Sequence, residues 1–163
     1  MIKCSEEFEK LVSQLYSKLA ALTDDKLEKL ILEWLSHESD SHSLLMKKIY
    51  ELLNIDVGSP KCPKLVGEPW KVVDNVMKEV DNKRIDLLQA LTKMEFVEGF
   101  TGEEMYNRLL FPILKNLLKE FFDEDASELI DKLMSEITDE EAHHDKMVKA
   151  LMHYEKIKRS STQ

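Results

Sequence analysis

The sequence predicts an all-α fold, a four-helix bundle of two short–long helical hairpins with an additional helical connection. Glycine and proline occur only four times each in 163 residues, whereas 34% of the residues are charged and 43% are hydrophobic. This balance is typical of helical chains. Apolar residues also recur at three-to-four spacing over long stretches, as on the buried face of a helix. The length predicts a single domain, residues 1–163, large enough for a hydrophobic core.

The first hairpin is predicted from two apolar stripes separated by the polar residues 23–25. Ser5 can cap the shorter first helix. Asp25 and Glu28 resemble a capping box, which opens a longer second helix ending near Leu53. The inward line of this second helix is predicted to contain Leu27, Ile31, Trp34, Glu38, His42, Leu45, Ile49 and Leu52.

The second half of the chain begins after a loop rich in glycine and proline, residues 54–69. Apolar periodicity then predicts a helix over residues 70–97, either a crossover connection or part of a kinked third helix. The two glycines of the run EGFTGEE predict a break after it. Thr101 and Glu104 fit a capping box for the next helix, which ends near Phe122.

The last helix is similar in sequence to the second. It is predicted to open with Asp125 and Glu128, another capping box of the Asp type. A shift of 102 residues places the second helix on the last one, so that His42 corresponds to His144. Four of the five histidines lie in the two matched stretches: His37, His42, His143 and His144.

Carboxylate and imidazole side chains are predicted to meet in the interior at these stretches. Residues three or four apart share one face of a helix, so their side chains can point at one place. The pairs are Glu38 with His42 and, on the last helix, either Glu141 with His144 or Glu140 with His143. Such ligands suit iron, manganese or zinc. Burying these groups unpaired is unfavourable, and binding to a cation offsets that cost.

These residues resemble the metal ligands of the ferritin-like and rubrerythrin-like carboxylate-bridged dimetal superfamily. In that superfamily, a Glu from each of two helices joins a Glu-x-x-His motif from each of the other two. The run DEEAHH contains this motif, and Glu141 with His144 is the register that the repeat favours. The run HESDSH departs from it, because Glu38 and His42 are four apart and Ser39 stands at the position of Glu141.

The resemblance implies that the shorter helices supply the remaining carboxylates. Glu9 precedes Tyr16 by seven residues and looks like the glutamate of the first helix in rubrerythrins. On the other hairpin, Glu95 and Glu103 are alternatives for the fourth carboxylate. The implied metal ligands are Glu9, Glu38, His42, Glu95 or Glu103, Glu141 and His144.

The same resemblance implies two bound metal ions, expected to be iron with manganese or zinc as alternatives. It also implies an oxidoreductase that acts on O2, peroxide or Fe(II), of peroxidase or ferroxidase type. The chain lacks the CxxC electron-transfer domain of rubrerythrins, so turnover would need an external electron donor. Two alternatives stay open. One is a non-catalytic interaction module that has lost part of the site at Ser39, and the other is a single structural zinc held by Glu38, His42, Glu141 and His144.

Charge, hydropathy and cysteine content indicate which partners and which cellular compartment to expect. A formal charge of −9 with only three arginines argues against binding to nucleic-acid phosphates. No apolar run is long enough for a membrane helix and no signal peptide is evident, so a cytoplasmic protein is expected. Cys4 and Cys62 are expected to be reduced thiols there, with a disulfide between them as the alternative. By analogy with similar bundles, a homodimer is compatible with the sequence.

Overall fold

The structure, a computed structural model, is an all-α bundle and describes residues 1–161, apart from the side chains of residues 124–127. The all-α prediction is confirmed over these residues. None of the helices described combines the length and apolar character needed to cross a membrane. The elements are α1 (Ile2–Ala20), α2 (Lys26–Leu52), α3 (Cys62–Val66), α4 (Glu68–Asp81), α5 (Leu87–Phe100), a π-helical segment (Thr101–Leu110), α6 (Phe111–Phe121) and α7 (Glu124–Ser161).

Helices α1 and α2 form the first hairpin and pack along most of their length. The predicted cap at Asp25 is confirmed, because its side chain accepts hydrogen bonds from the backbone N–H groups of Leu27 and Glu28. The predicted cap at Ser5 is wrong, since α1 begins at Ile2 and Ser5 lies inside it.

The buried face of α2 differs from the predicted line by about one residue of rotation. Leu27, Trp34 and Leu52 are exposed, whereas Ser39 is buried and Glu38 is only half-buried. Small serines occupy this face next to α1, where the Ser36 hydroxyl donates to the Ser13 carbonyl oxygen. The buried residues of α2 are Glu28, Leu32, Leu35, Ser36, Ser39, His42, Ser43, Met46 and Ile49.

The helix predicted over residues 70–97 is two helices, α4 and α5, joined by a turn over residues 82–86. The Asp86 side chain accepts from the backbone N–H of Gln89, and the Gln89 side chain accepts from the backbone N–H of Asp86. This reciprocal capping box starts α5. The apolar pattern continues on both sides of the turn, so the sequence predicted one helix there.

The predicted break near Gly99 and Gly102 does not occur, since α5, the π segment and α6 follow one another without a gap. Thr101 is not a cap: its hydroxyl donates to the Val97 carbonyl oxygen one turn earlier. Glu104 pairs with Arg108 on the surface. A change in helical winding therefore replaces the expected break. The predicted cap at Asp125 concerns a side chain outside the described residues.

Cys4 and Cys62 form a disulfide bond between α1 and α3, with Cα atoms 4.9 Å apart. The expectation of reduced thiols is therefore wrong for this structure. Both cysteines are buried, and the bond ties the connection after α2 to the beginning of α1. Two cysteines 58 residues apart carry no spacing motif, so only the packing of α3 against α1 reveals the pair.

Candidate metal centre

Three carboxylates and two imidazoles lie together in the interior of the bundle, and each is at most 3% exposed. They come from four helices, so the packing of the bundle brings them together. These five residues, called the metal cluster below, are Glu9 on α1, His42 on α2, Glu98 on α5, and Glu141 and His144 on α7.

The metal cluster consists of two groups of three that share one carboxylate. Glu9, His42 and Glu141 form the first group, and Glu98, Glu141 and His144 form the second. Within each group, one ligand atom from each residue lies within 4.8 Å of the others. The rings of His42 and His144 stack with centroids 5.7 Å apart. Because a carboxylate has two oxygens, Glu141 can serve two adjacent cation positions.

Two buried tyrosines hold the outer carboxylates in a crosswise arrangement. The Tyr106 hydroxyl donates to Glu9 Oε1 at 2.9 Å, and the Tyr16 hydroxyl donates to Glu98 Oε1. The Ser5 hydroxyl lies 3.4 Å from the Tyr106 hydroxyl and donates to it. Each half of the bundle thus supplies a glutamate to the cluster and a tyrosine that orients the glutamate of the other half.

The π segment explains why sequence spacing missed Glu98. On α1, Glu9 and Tyr16 are seven residues apart, which is close to two α-helical turns. Glu98 and Tyr106 are eight apart, and the wider turns of the π segment take up the additional residue. Seven residues before Tyr106 stands Gly99, so a search at α-helical spacing finds no glutamate there. A Glu–Tyr spacing of eight was the available signal.

Burial raises the pKa of two cluster carboxyls, Glu9 and Glu141. For Glu9 the pKa lies well above its ordinary value because of burial first and the charge of Glu141 second. The pKa of Glu141 is raised to about 8, again mainly by burial, although His144 opposes the shift. Burial alone would lower the pKa of His144. The neighbouring carboxylates of Glu98 and Glu141 outweigh burial, so the net effect is a raised pKa.

Several polar atoms of the centre are buried without a hydrogen-bond partner. They are Ser39 Oγ, His42 Nδ1, Glu141 Oε1, and both ring nitrogens of His144. His42 Nδ1 and Glu141 Oε1 lie only 2.7 Å apart, but their geometry is not that of a hydrogen bond. Buried polar atoms normally have partners, and lone pairs that converge in this way fit a divalent cation.

His42 is oriented by a residue outside the metal cluster. Its Nε2 lies 2.8 Å from Glu140 Oε2, so Nε2 carries the hydrogen and donates it to the carboxylate. Nδ1 then keeps a lone pair on the side of Glu141, whose Oε1 lies 2.7 Å away. Carboxylates commonly fix the tautomer of histidines that bind metals. Helical spacing predicted Glu140 as an alternative ligand together with His143, whereas its side chain lies against His42.

The structure brings four of the predicted ligands together: Glu9, His42, Glu141 and His144. It leaves out Glu38, Glu95 and Glu103. Glu38 is half-buried beside the cluster. Glu95 lies 3.8 Å from Lys149, and the exposed Glu103 lies 3.7 Å from Arg108. Glu98 takes the place for which Glu95 and Glu103 were alternatives, because it lies on the buried face of α5.

Comparison with known proteins finds no family model, no curated protein and no solved structure that matches this chain. What the site can do therefore follows from its own residues. Buried oxygen and nitrogen ligands that converge on two adjacent points could hold metal ions.

Proposed function

We propose that the protein binds two divalent metal ions, expected to be iron, in a carboxylate-bridged centre of the ferritin-like type. The observation that carries this proposal is the sharing of Glu141 by two buried groups of ligands, each with its ligand atoms within 4.8 Å. Glu9 and His42 would complete one position, and Glu98 and His144 would complete the other. Glu141 would bridge the two ions.

The balance of charge supports a bound cation. In the part of the chain that the structure describes, the ion-pair partners of Glu98 and Glu141 are histidines, and no lysine or arginine joins them. Burying a carboxylate without a compensating charge is unfavourable by several kcal/mol. Divalent cations would offset that cost, and carboxylate with imidazole suits iron or manganese better than calcium.

The distribution of ligands over the helices supports a ferritin-like arrangement. In that arrangement, two helices give one glutamate each and two give Glu-x-x-His. Here Glu9 on α1 and Glu98 on α5 are the single glutamates, and Glu141 with His144 on α7 is the complete motif. On α2, Ser39 replaces the glutamate that would precede His42 by three residues. The proposed centre therefore has three carboxylates rather than four.

The proposed reaction is oxidation of Fe(II) by O2 or peroxide, which would accept the electrons and be reduced. Bound iron would supply the electron transfer that this chemistry needs, and an external donor would return electrons. The protein's own contribution is to exclude water and to hold protons. Tyr16 and Tyr106 have pKa values well above the ordinary range because of burial and of the neighbouring carboxylates. Both hydroxyls therefore stay protonated and keep donating to Glu98 and Glu9.

Metal content per chain tests the proposal directly. The protein is loaded with Fe(II) under argon, dialysed exhaustively, and measured by elemental mass spectrometry. We expect two iron ions per chain, and H144A is expected to retain fewer. No retained iron, manganese or zinc in the wild-type protein would overturn the proposal and favour the interaction module.

A site for a single metal ion, for example a structural zinc, is the second candidate function. Ser39 favours it, because the position that corresponds to Glu141 in the repeat has no carboxylate. Glu38, predicted from sequence as a zinc ligand, lies outside the metal cluster, so Glu9 would take its place. One zinc ion per chain after loading with equal amounts of iron and zinc would support this candidate.

A further inference from the structure

A cleft of about 280 Å³ lies between the π segment and α7 and reaches the metal cluster. Glu98 and Glu141 form part of its wall, although each is at most 2% exposed. Glu141 Oε1 has no hydrogen-bond partner. The cleft is open to solvent at the level of Glu103, an exposed residue of the π segment. Glu98 and Glu141 belong both to the wall of the cleft and to the metal cluster, so the cleft borders the cluster.

Two glycines keep one wall of this cleft free of side chains. A Cβ on Gly102 would lie 3.1 Å from Glu141 Cβ, so glycine allows the π segment to approach α7 closely at this level. A Cβ on Gly99 would meet no atom within 4 Å, because this position borders open space. Glycine is unfavourable in the interior of a helix, and packing explains only Gly102. Gly99 is exposed at the cleft, where no packing contact requires glycine.

The charge of the cleft is mainly negative. Glu98, Glu103, Glu141 and Asp145 line it, against one lysine, Lys146. Asp145 follows Glu141 by one turn of α7. Its Oδ2 pairs with Lys149 at 2.7 Å, whereas its Oδ1 is buried without a hydrogen-bond partner. A concave surface lined by one sign of charge raises the local concentration of the opposite ion and its rate of association.

We propose that this cleft is the route by which a hydrated divalent cation reaches Glu98 and Glu141, with Asp145 binding the cation on the way. This inference rests on the proposed function, because it needs a metal at the cluster. It adds roles for residues that are not ligands of the final site: Gly99 keeps the passage wide, and Asp145 attracts the cation.

The test measures the rate of metal uptake separately from the amount bound. Metal-free full-length protein is mixed with Co(II) in a stopped-flow instrument, and the visible absorption of bound Co(II) is followed. Equilibrium stoichiometry is measured on the same samples. The variants are G99A, G99L and D145N. Leucine at position 99 meets no neighbour at its Cβ and favours the helix, so G99L is expected to fold.

We expect G99L to bind the wild-type amount of Co(II) several-fold more slowly and G99A to differ little from wild type. D145N should load roughly three-fold more slowly at low salt, with a smaller difference at high salt because the lost attraction is screened. T92L is the matched control. Thr92 is exposed on the same helix, about two turns from Gly99, so its leucine should leave the rate unchanged.

The outcomes separate this inference from the proposed function. If G99L and D145N both take up Co(II) at the wild-type rate and bind the wild-type amount, the proposed route is wrong. The proposed metal centre would be unaffected by that result. Reduced stoichiometry in D145N would also contradict the route as proposed, because Asp145 would then be a ligand of the final site. Absence of Co(II), Fe(II) and Zn(II) binding in the wild-type protein would overturn both.

Discussion

Two groups of buried carboxylates in this bundle are compensated in different ways. One is the metal cluster. The other, called the end cluster here, consists of Glu28 on α2 and Glu155 on α7 with the cations Lys158 and Arg159. Lys158 pairs with both glutamates, and Arg159 Nε donates to Glu155 at 2.9 Å. Lysine and arginine thus pair with the carboxylates of the end cluster, whereas among the described side chains only histidines pair with those of the metal cluster.

The direction of the pKa shifts follows this difference. In the end cluster, burial alone would raise the pKa of Glu155, but hydrogen bonds with Lys158, Glu28 and Arg159 outweigh burial and lower it. In the metal cluster, burial dominates and raises the pKa of Glu9 and Glu141. Buried acids paired with fixed cations keep their charge without a bound ion. Buried acids without such cations favour the protonated form, so a metal ion that binds their charged form would add stability to the folded state.

The largest expected effect comes from removing the carboxylate shared by the two ligand groups. E141Q should lose retained metal at both positions. Wild-type protein with metal at about 100 times its Kd should gain about 2.7 kcal/mol of stability, roughly 5–10 °C in Tm for a chain of this length. E141Q should show no such gain. Metal content and thermal unfolding with and without Fe(II) measure both quantities.

E28Q is the matched control from the end cluster. With or without metal, it should lower Tm and reduce stability by about 1–2 kcal/mol, because Glu28 is buried but its partner Lys158 is partly exposed. Its metal content should match wild type. A metal-dependent gain in Tm that survives in E141Q would contradict the distinction between the two clusters.

Sequence reasoning found the parts of the site that lie on regular α-helices. Glu9 follows an apolar line of α1, and Glu141 with His144 has the three-residue spacing of one helix face. Glu98 was missed because the π segment changes the phase between it and Tyr106. Residue propensities did not predict the π-helical winding of this segment. On α2 the predicted buried face was rotated by about one residue from the observed one. The prediction therefore buried Glu38, whereas the structure buries Ser39.

The end cluster could not be predicted from local patterns. Glu28 was interpreted as a capping residue, but its side chain binds Thr23 and Lys158 instead. The partner Lys158 is 130 residues away, and only the packing of α2 near α7 brings the two together. Long-range contacts of this kind, like the Cys4–Cys62 bond, leave no periodic signal in the sequence.

The second prediction adds a carboxylate to the metal cluster. S39E would restore the glutamate that the repeat lacks, but in the metal-free protein it buries another charge at a position that is 1% exposed. We expect a loss of about 2–4 kcal/mol without metal and a larger metal-dependent rise in Tm than in wild type.

S39Q is the control for the size of the new side chain. It should destabilise the protein equally with and without metal. If Fe(II) raised the Tm of S39E and S39Q by the same amount, position 39 would not face the bound ions.

The third prediction uses two glycines that are three residues apart. G102A brings a Cβ to 3.1 Å from Glu141 Cβ, so the π segment or α7 must shift and Glu141 moves with it. We expect a loss of about 1–3 kcal/mol and weaker metal binding. G99A meets no atom and should raise stability by about 0.5–1 kcal/mol, since alanine favours the helix. Urea unfolding and metal titration of both variants test this, and equal stability of the two would refute the close contact at Gly102.

The smallest expected effect concerns the pH dependence of the end cluster. Because folding lowers the pKa of Glu155 below its ordinary value of 4.5, the folded state binds fewer protons than the unfolded state between the two values. Its contribution to stability is therefore complete above pH 4.5 and is lost as the pH falls through the folded value. At pH 7, E155Q should be less stable than wild type by only about 1 kcal/mol, because Lys158 and Arg159 are partly exposed and the pairing is screened by solvent.

Urea unfolding of the metal-free protein between pH 3 and pH 7 measures this effect. The free energies of unfolding of wild type and E155Q should converge toward pH 3. A difference that persists unchanged to pH 3 would mean that packing of the side chain, and not its charge, makes this contribution, and the contrast between the two clusters would lose its electrostatic basis.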